Sequence, residues 1–368
     1  MKVAFLYGNL LRGGAQRVIS VLANYLVSQG DDVSILTMDK GYSGYELDSR
    51  VKVCGLNLAG DSRNKLESVG RLFKTLGALR RWERDERPDV IVCFSMHLSF
   101  QLSLALCCCH NRCRVISSER ANPDKRDLNF LSKLENRFQK NVDGFIFQTE
   151  RVSRLFPESL RKKGTVIHNG LFSPDIPEAV ADFDCRRSRE ICAVGRIDVQ
   201  KAYDVLLKAF AVFQEKFPEH RLNVYGSGNY EGEIKALAKE LGISGSVLFH
   251  GNHPHVISEI QDMGMYVMTS RFEGMPNALI EAMACGLPCV CTDCEFGPAE
   301  LIEDGVSGLL APVDDVQAVA EAMMKIAGDR ELARKLSKGA EKIRLSHSGD
   351  EICRRYRDYI LSVIQKKV

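Results

Sequence analysis

Apolar positions along this chain change period repeatedly, and the changes mark out its elements. Val3–Tyr7 is an unbroken apolar run closed by Gly8, which predicts a strand buried on both faces. After Gly13 and Gly14 the spacing widens to Val18, Ile19, Leu22, Ala23 and Leu26, the rhythm of a helix with one buried face. Strands follow at Asp32–Met38 and Val51–Leu56. A helix over 63–82 takes Leu66, Val69, Leu72, Phe73, Leu76 and Leu79 as its apolar stripe, and Pro88-Asp89 introduces a strand at Val90–Phe94. Leu98–Cys109 suits a buried helix, and Val115–Ser117, Phe145–Gln148 and Thr165–Ile167 read as further strands. Strands alternating with helices predict a parallel sheet covered on both faces.

Residues 173–189 (SPDIPEAVADFDCRRSR) break this rhythm with proline and mixed charge, as a linker does. The rhythm restarts with a strand at Ile191–Val194 ending on Gly195, a helix at 203–216, and a strand at Arg221–Tyr225 ending on Gly226-Ser227-Gly228. A helix at 231–241, strands at Val247–Phe249 and Tyr266–Thr269, a helix at Pro276–Ala284, and strands at Pro288–Cys291 and Gly308–Ala311 come next. The final segment, 350–366, spaces Ile352, Tyr356, Tyr359, Ile360, Val363 and Ile364 as an amphipathic helix. The expected architecture is α/β, with two doubly wound, Rossmann-like domains facing across a cleft. The first spans 1–172 with the terminal helix 350–368 packed back on it, the linker is 173–189, and the second spans 190–349. Ligands of such folds meet the carboxyl ends of the strands.

Composition narrows the class. A length of 368 residues suits two domains, and 45% hydrophobic with 27% charged residues excludes a disordered chain. A formal charge of +2 gives no footprint for nucleic acid. The two halves differ, however. Residues 1–190 hold 30 basic and 23 acidic side chains, a net of +7, and residues 191–368 hold 20 and 25, a net of −5. The first half should favour an anionic partner. The amino-terminal apolar run is too short for a signal peptide, and no apolar run reaches 18 residues. Thirteen cysteines without an export signal read as reduced thiols in a cytoplasmic protein.

Several positions have chemistry to offer. Gly13-Gly14 is either a bare strand-to-helix turn or a place where backbone N–H groups approach an anion; it lacks the Gly-x-Gly-x-x-Gly dinucleotide fingerprint. Arg196 and Lys201 are two cations five residues apart, able to straddle a diphosphate or simply to sit exposed in a loop. The stretch from Ser270 to Pro288 says most. Pro276 fits a first helical position and Gly286-Leu287-Pro288 a helix end. Glu273 then precedes the helix, and Glu281 lies inside it among Ala, Leu, Ile, Met and Cys, where a carboxylate needs a partner or a polar cavity. The segment Gly274, Met275, Pro276, Asn277 forms a positive helix end suited to phosphate or sugar. Asp182-Phe183-Asp184 has a metal-binding spelling but lies in the linker, and His250, His253 and His255 read as a polar loop; no metal is expected. Cys289, Cys291 and Cys294 follow strand periodicity, and Cys107, Cys108 and Cys109 end a helix as small hydrophobes.

In their order and spacing, Gly13-Gly14, Arg196-x4-Lys201, Gly226-Ser227-Gly228 and Glu273-x7-Glu281 resemble family 4 of the retaining glycosyltransferases, which have the GT-B fold. The similarity is closest to bacterial enzymes acting on polyprenyl-pyrophosphate glycans and surface polysaccharides. The resemblance implies that Arg196 and Lys201 hold the donor diphosphate and neutralise the leaving group, with Gly14 by the phosphates. It gives Glu281 the ribose hydroxyls, Glu273 the transferred sugar, and the Phe249-His250-Gly251-Asn252 turn the base. Gly13, Arg17, Lys65, Arg71, Lys74 and Arg120 fall to the acceptor side. Arg120 stands where many relatives carry a histidine, and His97 reads as structural.

The implied activity moves a hexosyl or N-acetylhexosaminyl group from a UDP-sugar to a glycan acceptor, lipid-linked in this reading, without a cofactor. Retention needs either double displacement or same-face attack; the sequence does not choose, and the resemblance favours the second. A nucleotide-sugar epimerase and a non-catalytic sugar-nucleotide binder are the alternatives. The basic helix at 63–81, with six Lys or Arg against Glu67, is either a solvated face or a site for an anionic membrane surface, which would make the protein peripheral on the cytoplasmic side.

Overall fold

The computed structural model describes residues 1–366 apart from 12, 59, 61–64, 108, 110–111, 119–140, 181–182 and 184–186. The chain divides into two units, Met1–Phe172 with Gly349–Val368, and Ser173–Ser348. The expected linker 173–189 thus falls wholly within the bounds of the second unit, and a strand begins at Arg187, inside it.

The first unit holds seven strands: β1 (Lys2–Tyr7), β2 (Asp32–Thr37), β3 (Lys52–Gly55), β4 (Val90–Cys93), β5 (Arg114–Ser118), β6 (Gly144–Phe147) and β7 (Gly164–Val166). They form one parallel sheet ordered β3-β2-β1-β4-β5-β6-β7. The order reverses between β1 and β4. Chain order runs outward in both directions from there, so helices fall on both faces. On one face α1 (Gly14–Ser28) packs against Val3, Phe5 and Ile116. On the other, α2 (Lys65–Glu86) packs with α3 (Met96–Leu106), and Ser99 of α3 bonds Ser117 at 2.7 Å, the neighbour of Ile116 that points the opposite way. Short helices α4 (Glu150–Arg154) and α5 (Glu158–Arg161) lie near β6 and β7.

The second unit repeats the plan with β8 (Arg187–Val194), β9 (Arg221–Tyr225), β10 (Val247–Gly251), β11 (Met263–Met268), β12 (Cys289–Thr292) and β13 (Leu309–Ala311), in the parallel order β10-β9-β8-β11-β12-β13. Its helices are α6 (Tyr203–Lys216), α7 (Glu231–Glu240), α8 (Val256–Ile260), α9 (Asn277–Ala284), α10 (Pro298–Leu301), α11 (Val316–Gly328), α12 (Arg330–Ala340) and α13 (Ile343–Ser346). Phe210 and Phe213 of α6, Val224 of β9 and Met323 of α11 are fully buried together. The pair α11 and α12 fills a stretch the hydrophobic pattern left unread. Each is started by an aspartate: Asp315 accepts from the Ala318 N–H and Asp329 from the Leu332 N–H, both at 2.9 Å.

The last helix, α14 (Gly349–Gln365), returns to the first unit, where Ile352, Tyr356, Ile360 and Val363 are buried beside α1. Each such side chain contributes about 1.5–3 kcal/mol on leaving water. Tyr359 donates to the Lys163 carbonyl and accepts from the Phe145 N–H at 2.8 Å. Gly144 is required there, since a Cβ would lie 2.7 Å from the Tyr359 oxygen.

One predicted stripe is only half right. On α2, Leu79 is buried and Leu72 and Leu76 are partly covered, but Val69 and Phe73 are 52% and 69% exposed. At about 100° per residue they drift off the buried face toward Arg80 and Arg81. Among the described residues no helix is long and apolar enough to cross a membrane.

Candidate functional site

In the second unit the strand order reverses between β8 and β11, so the loops leaving their carboxyl ends diverge and open a crevice. Most of the predicted donor residues stand on these loops and on those after β9 and β10. Three glycines let the backbones meet. Gly226 sits at φ +136°, where a Cβ would lie 1.9 Å from the Gly195 carbonyl, and at Gly228 a Cβ would lie 2.1 Å from that of Ile197. The Gly226-Ser227-Gly228 turn therefore nests against residues 195–197, and Ile197 donates to the Ser227 carbonyl at 3.0 Å. Gly226 also donates to Gly251 at 2.7 Å, and the Asn252 amide to the Ser227 hydroxyl at 2.7 Å, which brings the β10 turn into the same cluster. Gly297, at φ +92°, is the third: a Cβ would lie 2.7 Å from the Gly274 carbonyl and from Pro276.

At the centre Lys201 and Glu273 form an ion pair, Nζ to Oε1 at 2.6 Å, with side chains only 15% and 8% exposed. Removing one partner of a buried pair of this kind costs about 3–5 kcal/mol. The Lys201 N–H is held by Asp198 Oδ1 at 3.1 Å, and Thr269 donates to the carbonyls of Lys201 and Ala202 at 3.1 and 3.0 Å. Ala202 is buried in the left-handed conformation, φ 49° and ψ 48°, and starts α6. That strain, about 1 kcal/mol or more, sits one residue from the central lysine. Arg196 is different. Its side chain is 75% exposed, 3.4 Å from Asp198 Oδ2 and from Gln200 Oε1, so it is a reaching cation. Burial, with the charges of Asp198 and Glu273, pushes the Tyr203 phenol well up, and it stays a donor to the Gly195 carbonyl at 3.0 Å.

The Glu273 loop is pinned from below. Arg271 pairs with Asp204 at 2.8 Å and Asp314 at 2.7 Å, and also donates to the Val199 carbonyl at 2.9 Å. Past Gly274 and Met275 the chain enters α9, with Pro276 one position earlier than predicted, at the N-cap (φ −77°, ψ 104°). The reason is local. Proline has no N–H and supplies no side-chain cap, so the first amide of the helix end belongs to Asn277. Four or so amides at such an end carry about half a positive charge. Glu281 is buried within α9, and Gly286, at φ +66°, closes the helix as expected.

Thus Arg196, Lys201, Gly226, Gly251, Asn252, Glu273, Gly274, Met275, Pro276 and Asn277 share one end of the second unit's sheet, and Glu281 lies one turn into α9. Gly13, Gly14 and Arg17 stand together in the first unit at the start of α1, where Tyr45 holds the Gly13 N–H at 3.0 Å and its carbonyl at 2.9 Å. Of the other residues expected on the acceptor side, Lys65, Arg71 and Lys74 belong to α2, on the opposite sheet face from α1. Arg120 and the Asp182–Asp184 pattern lie outside the described residues. Two of the three loop histidines meet the Tyr225 ring and the third turns to Asp175. His250 stacks on Tyr225 at 4.4 Å and bonds Asn223 at 2.9 Å, His253 meets the Tyr225 edge, and His255 pairs with Asp175 at 3.1 Å. Cys291 and Cys294 are buried, and burial pushes the Cys294 thiol up to about 12. Gln200, Arg271 and Gly297 were missed in the sequence; only the glycine before Pro298 carried a signal, as a turn.

Comparison with known proteins identifies the family and the fold. Residues 12–171 match the model of Glycosyltransferase Family 4, and residues 186–343 that of Glycosyl transferases group 1. An N-acetylgalactosamine-N,N'-diacetylbacillosaminyl-diphospho-undecaprenol 4-alpha-N-acetylgalactosaminyltransferase of Campylobacter jejuni is 25% identical over 365 residues, covering 92% of this chain and 93% of the relative. Sucrose-phosphate synthase of Thermosynechococcus elongatus superposes with a TM-score of 0.79 at 20% identity, over 98% of this chain and 99% of its own. The Anabaena protein HepE, solved in complex with UDP and glucose, superposes with a TM-score of 0.76 at 18% identity, over 98% and 100%. With both halves matched in order and the two doubly wound sheets in place, the chain belongs to the family 4 glycosyltransferases of GT-B fold and is a hexosyltransferase.

Proposed function

We propose that this transferase uses a UDP-sugar, retains the anomeric configuration, and passes a hexosyl or N-acetylhexosaminyl group to a glycan carried on a polyprenyl diphosphate in bacterial surface-glycan assembly. The observation that carries the reading is the Lys201–Glu273 pair beside the amino end of α9. A departing nucleoside diphosphate gains negative charge as the anomeric carbon becomes cationic. Lys201, the reaching Arg196 and the helix end answer the first need without a metal. Glu273, once the diphosphate draws Lys201 away, is the carboxylate left to orient sugar hydroxyls during same-face attack. Support for UDP comes from HepE, and for a lipid-linked acceptor from the Campylobacter transferase. The relatives are transferases, so an epimerase or a sugar-nucleotide sensor is not favoured. A thermal-shift screen across nucleotide sugars tests the donor: at 100 times its dissociation constant a ligand stabilises by about 2.7 kcal/mol. GDP- or ADP-sugars shifting the melt where UDP-sugars do not, or turnover abolished by EDTA, would overturn this reading.

A lipid-linked acceptor requires the protein to reach a membrane, and α2 supplies the surface. Val69 and Phe73 stand exposed one turn apart with Lys74, Arg80 and Arg81. An aromatic wedge flanked by cations suits anionic headgroups, each basic residue near the surface adding about 1 kcal/mol. The double variant Phe73→Ser with Arg80→Ser is expected to lose sedimentation with phosphatidylglycerol vesicles at least tenfold, with no change in UDP binding. Equal sedimentation of variant and native protein would remove α2 from the membrane role.

A further inference from the structure

We infer that Gln200, an uncharged residue at one of the unassigned positions inside Arg196-x4-Lys201, is the positioning residue that couples Glu273 to Arg196 during transfer; this rests on reading the second unit's crevice as the donor site. Its side chain bridges the two loops. Nε2 donates to the Phe272 carbonyl at 2.9 Å and lies 3.5 Å from Glu273 Oε2, while Oε1 lies 3.4 Å from Arg196 Nη2. The orientation of the amide is forced. A carbonyl and a carboxylate only accept, a guanidinium only donates, so the NH2 end must face Phe272 and Glu273 and the oxygen must face Arg196. The Gln200 backbone is fixed as well, since its carbonyl accepts from the Arg271 N–H at 2.8 Å and Arg271 is itself held by two aspartates.

The two oxygens of Glu273 therefore have different keepers. Oε1 is held by Lys201 and Oε2 faces Gln200. A diphosphate that takes Lys201 removes the first keeper, and the amide remains as the group that holds the carboxylate in place beneath the sugar. At its other end the same amide keeps the exposed Arg196 guanidinium from swinging wholly to Asp198, leaving it within reach of the leaving group. Gln200 acts through these side chains and not on the reacting atoms.

The test compares the native full chain with Gln200→Met and Gln200→Glu, using UDP for binding and release of UDP from UDP-N-acetylgalactosamine or UDP-glucose for turnover. Methionine keeps the volume and removes both polar ends; kcat should fall about 10- to 100-fold with KM changed less than about threefold, as expected for loss of an interaction that matters in the transition state. Glutamate places a second carboxylate against Glu273, and like charges resist joint ionisation. The acid limb of its pH–kcat profile should move up by about one pH unit, an effect a merely structural residue would not produce. Turnover of Gln200→Met within about twofold of native, or a Gln200→Glu profile superimposing on the native one, overturns the inference. If Gln200→Met melts early, the Gln200→Glu profile alone decides. A native protein that binds no UDP and turns over neither donor refutes the donor-site reading instead, which keeps the two failures apart.

Discussion

Replacing Glu273 by glutamine is expected to lower kcat by roughly 10²–10³-fold while tightening UDP several-fold, measured by steady-state kinetics and titration calorimetry. The opposite signs follow from the 2.6 Å contact between Glu273 and Lys201. The lysine is engaged by the carboxylate, so a diphosphate must compete for it. A neutral amide competes weakly and releases Lys201 to the product. Turnover suffers for the same reason in reverse, because the glutamine no longer presents a negative charge near the developing cationic centre. The partner substitution, Lys201→Ala, should behave differently. It removes the phosphate contact and strands Glu273 in a position only 8% exposed, so UDP binding weakens and stability falls by about 3 kcal/mol. Weaker UDP binding by Glu273→Gln, or near-native turnover, would show that the pair is a packing feature of the loop and that Lys201 does not pass from Glu273 to the diphosphate.

The second large effect is expected at Gly226. A methyl group there would lie 1.9 Å from the Gly195 carbonyl oxygen, and the residue is at φ +136°, where a side chain is strained whatever the space. The obstacle is backbone, so it cannot rotate away. Gly226→Ala should push the 195–201 loop off the turn, cost about 3 kcal/mol in stability, and weaken UDP at least tenfold through the displaced Arg196 and Lys201. Gly245→Ala is the control, since nothing lies within 4 Å of a Cβ there. Equal melting temperatures and equal UDP affinities for the two variants would refute the account of how the loops are held.

Much of the fold was legible because parallel strands buried on both faces are written as continuous apolar runs. Val3–Tyr7, Val90–Phe94 and Tyr266–Thr269 could be read with no knowledge of what they pair with, although the last strand begins three residues earlier, at Met263. Residues 312–348 were not legible by that route, since α11 to α13 follow one another with no strand between to set the period. The aspartate caps at 315 and 329 were the signal that would have found two of them. The Val69–Phe73 stripe misled for a different reason. Period alone places both on the apolar side of α2, and only the width of the covering layer decides which edge of the stripe reaches solvent.

The site shows the same division. Spacing and residue type were enough to single out Arg196, Lys201, Glu273 and Glu281, because a cation pair in a turn and a carboxylate inside an apolar helix are local anomalies. Local anomalies do not say who meets whom. The sequence by itself determined the element types, the two-sheet plan and the chemical groups on offer. Tertiary structure decided that β8 lies beside β11 and so delivers Lys201 to Glu273 across 72 residues of chain. It also decided that α2 stands on the opposite sheet face from α1, that Arg196 reaches outward while Lys201 is buried, and that Gln200 stands between Arg196 and Glu273. The physical reason is that strand order and loop contact are set by which apolar faces cover one another, a property of the whole packed unit that no window of residues contains.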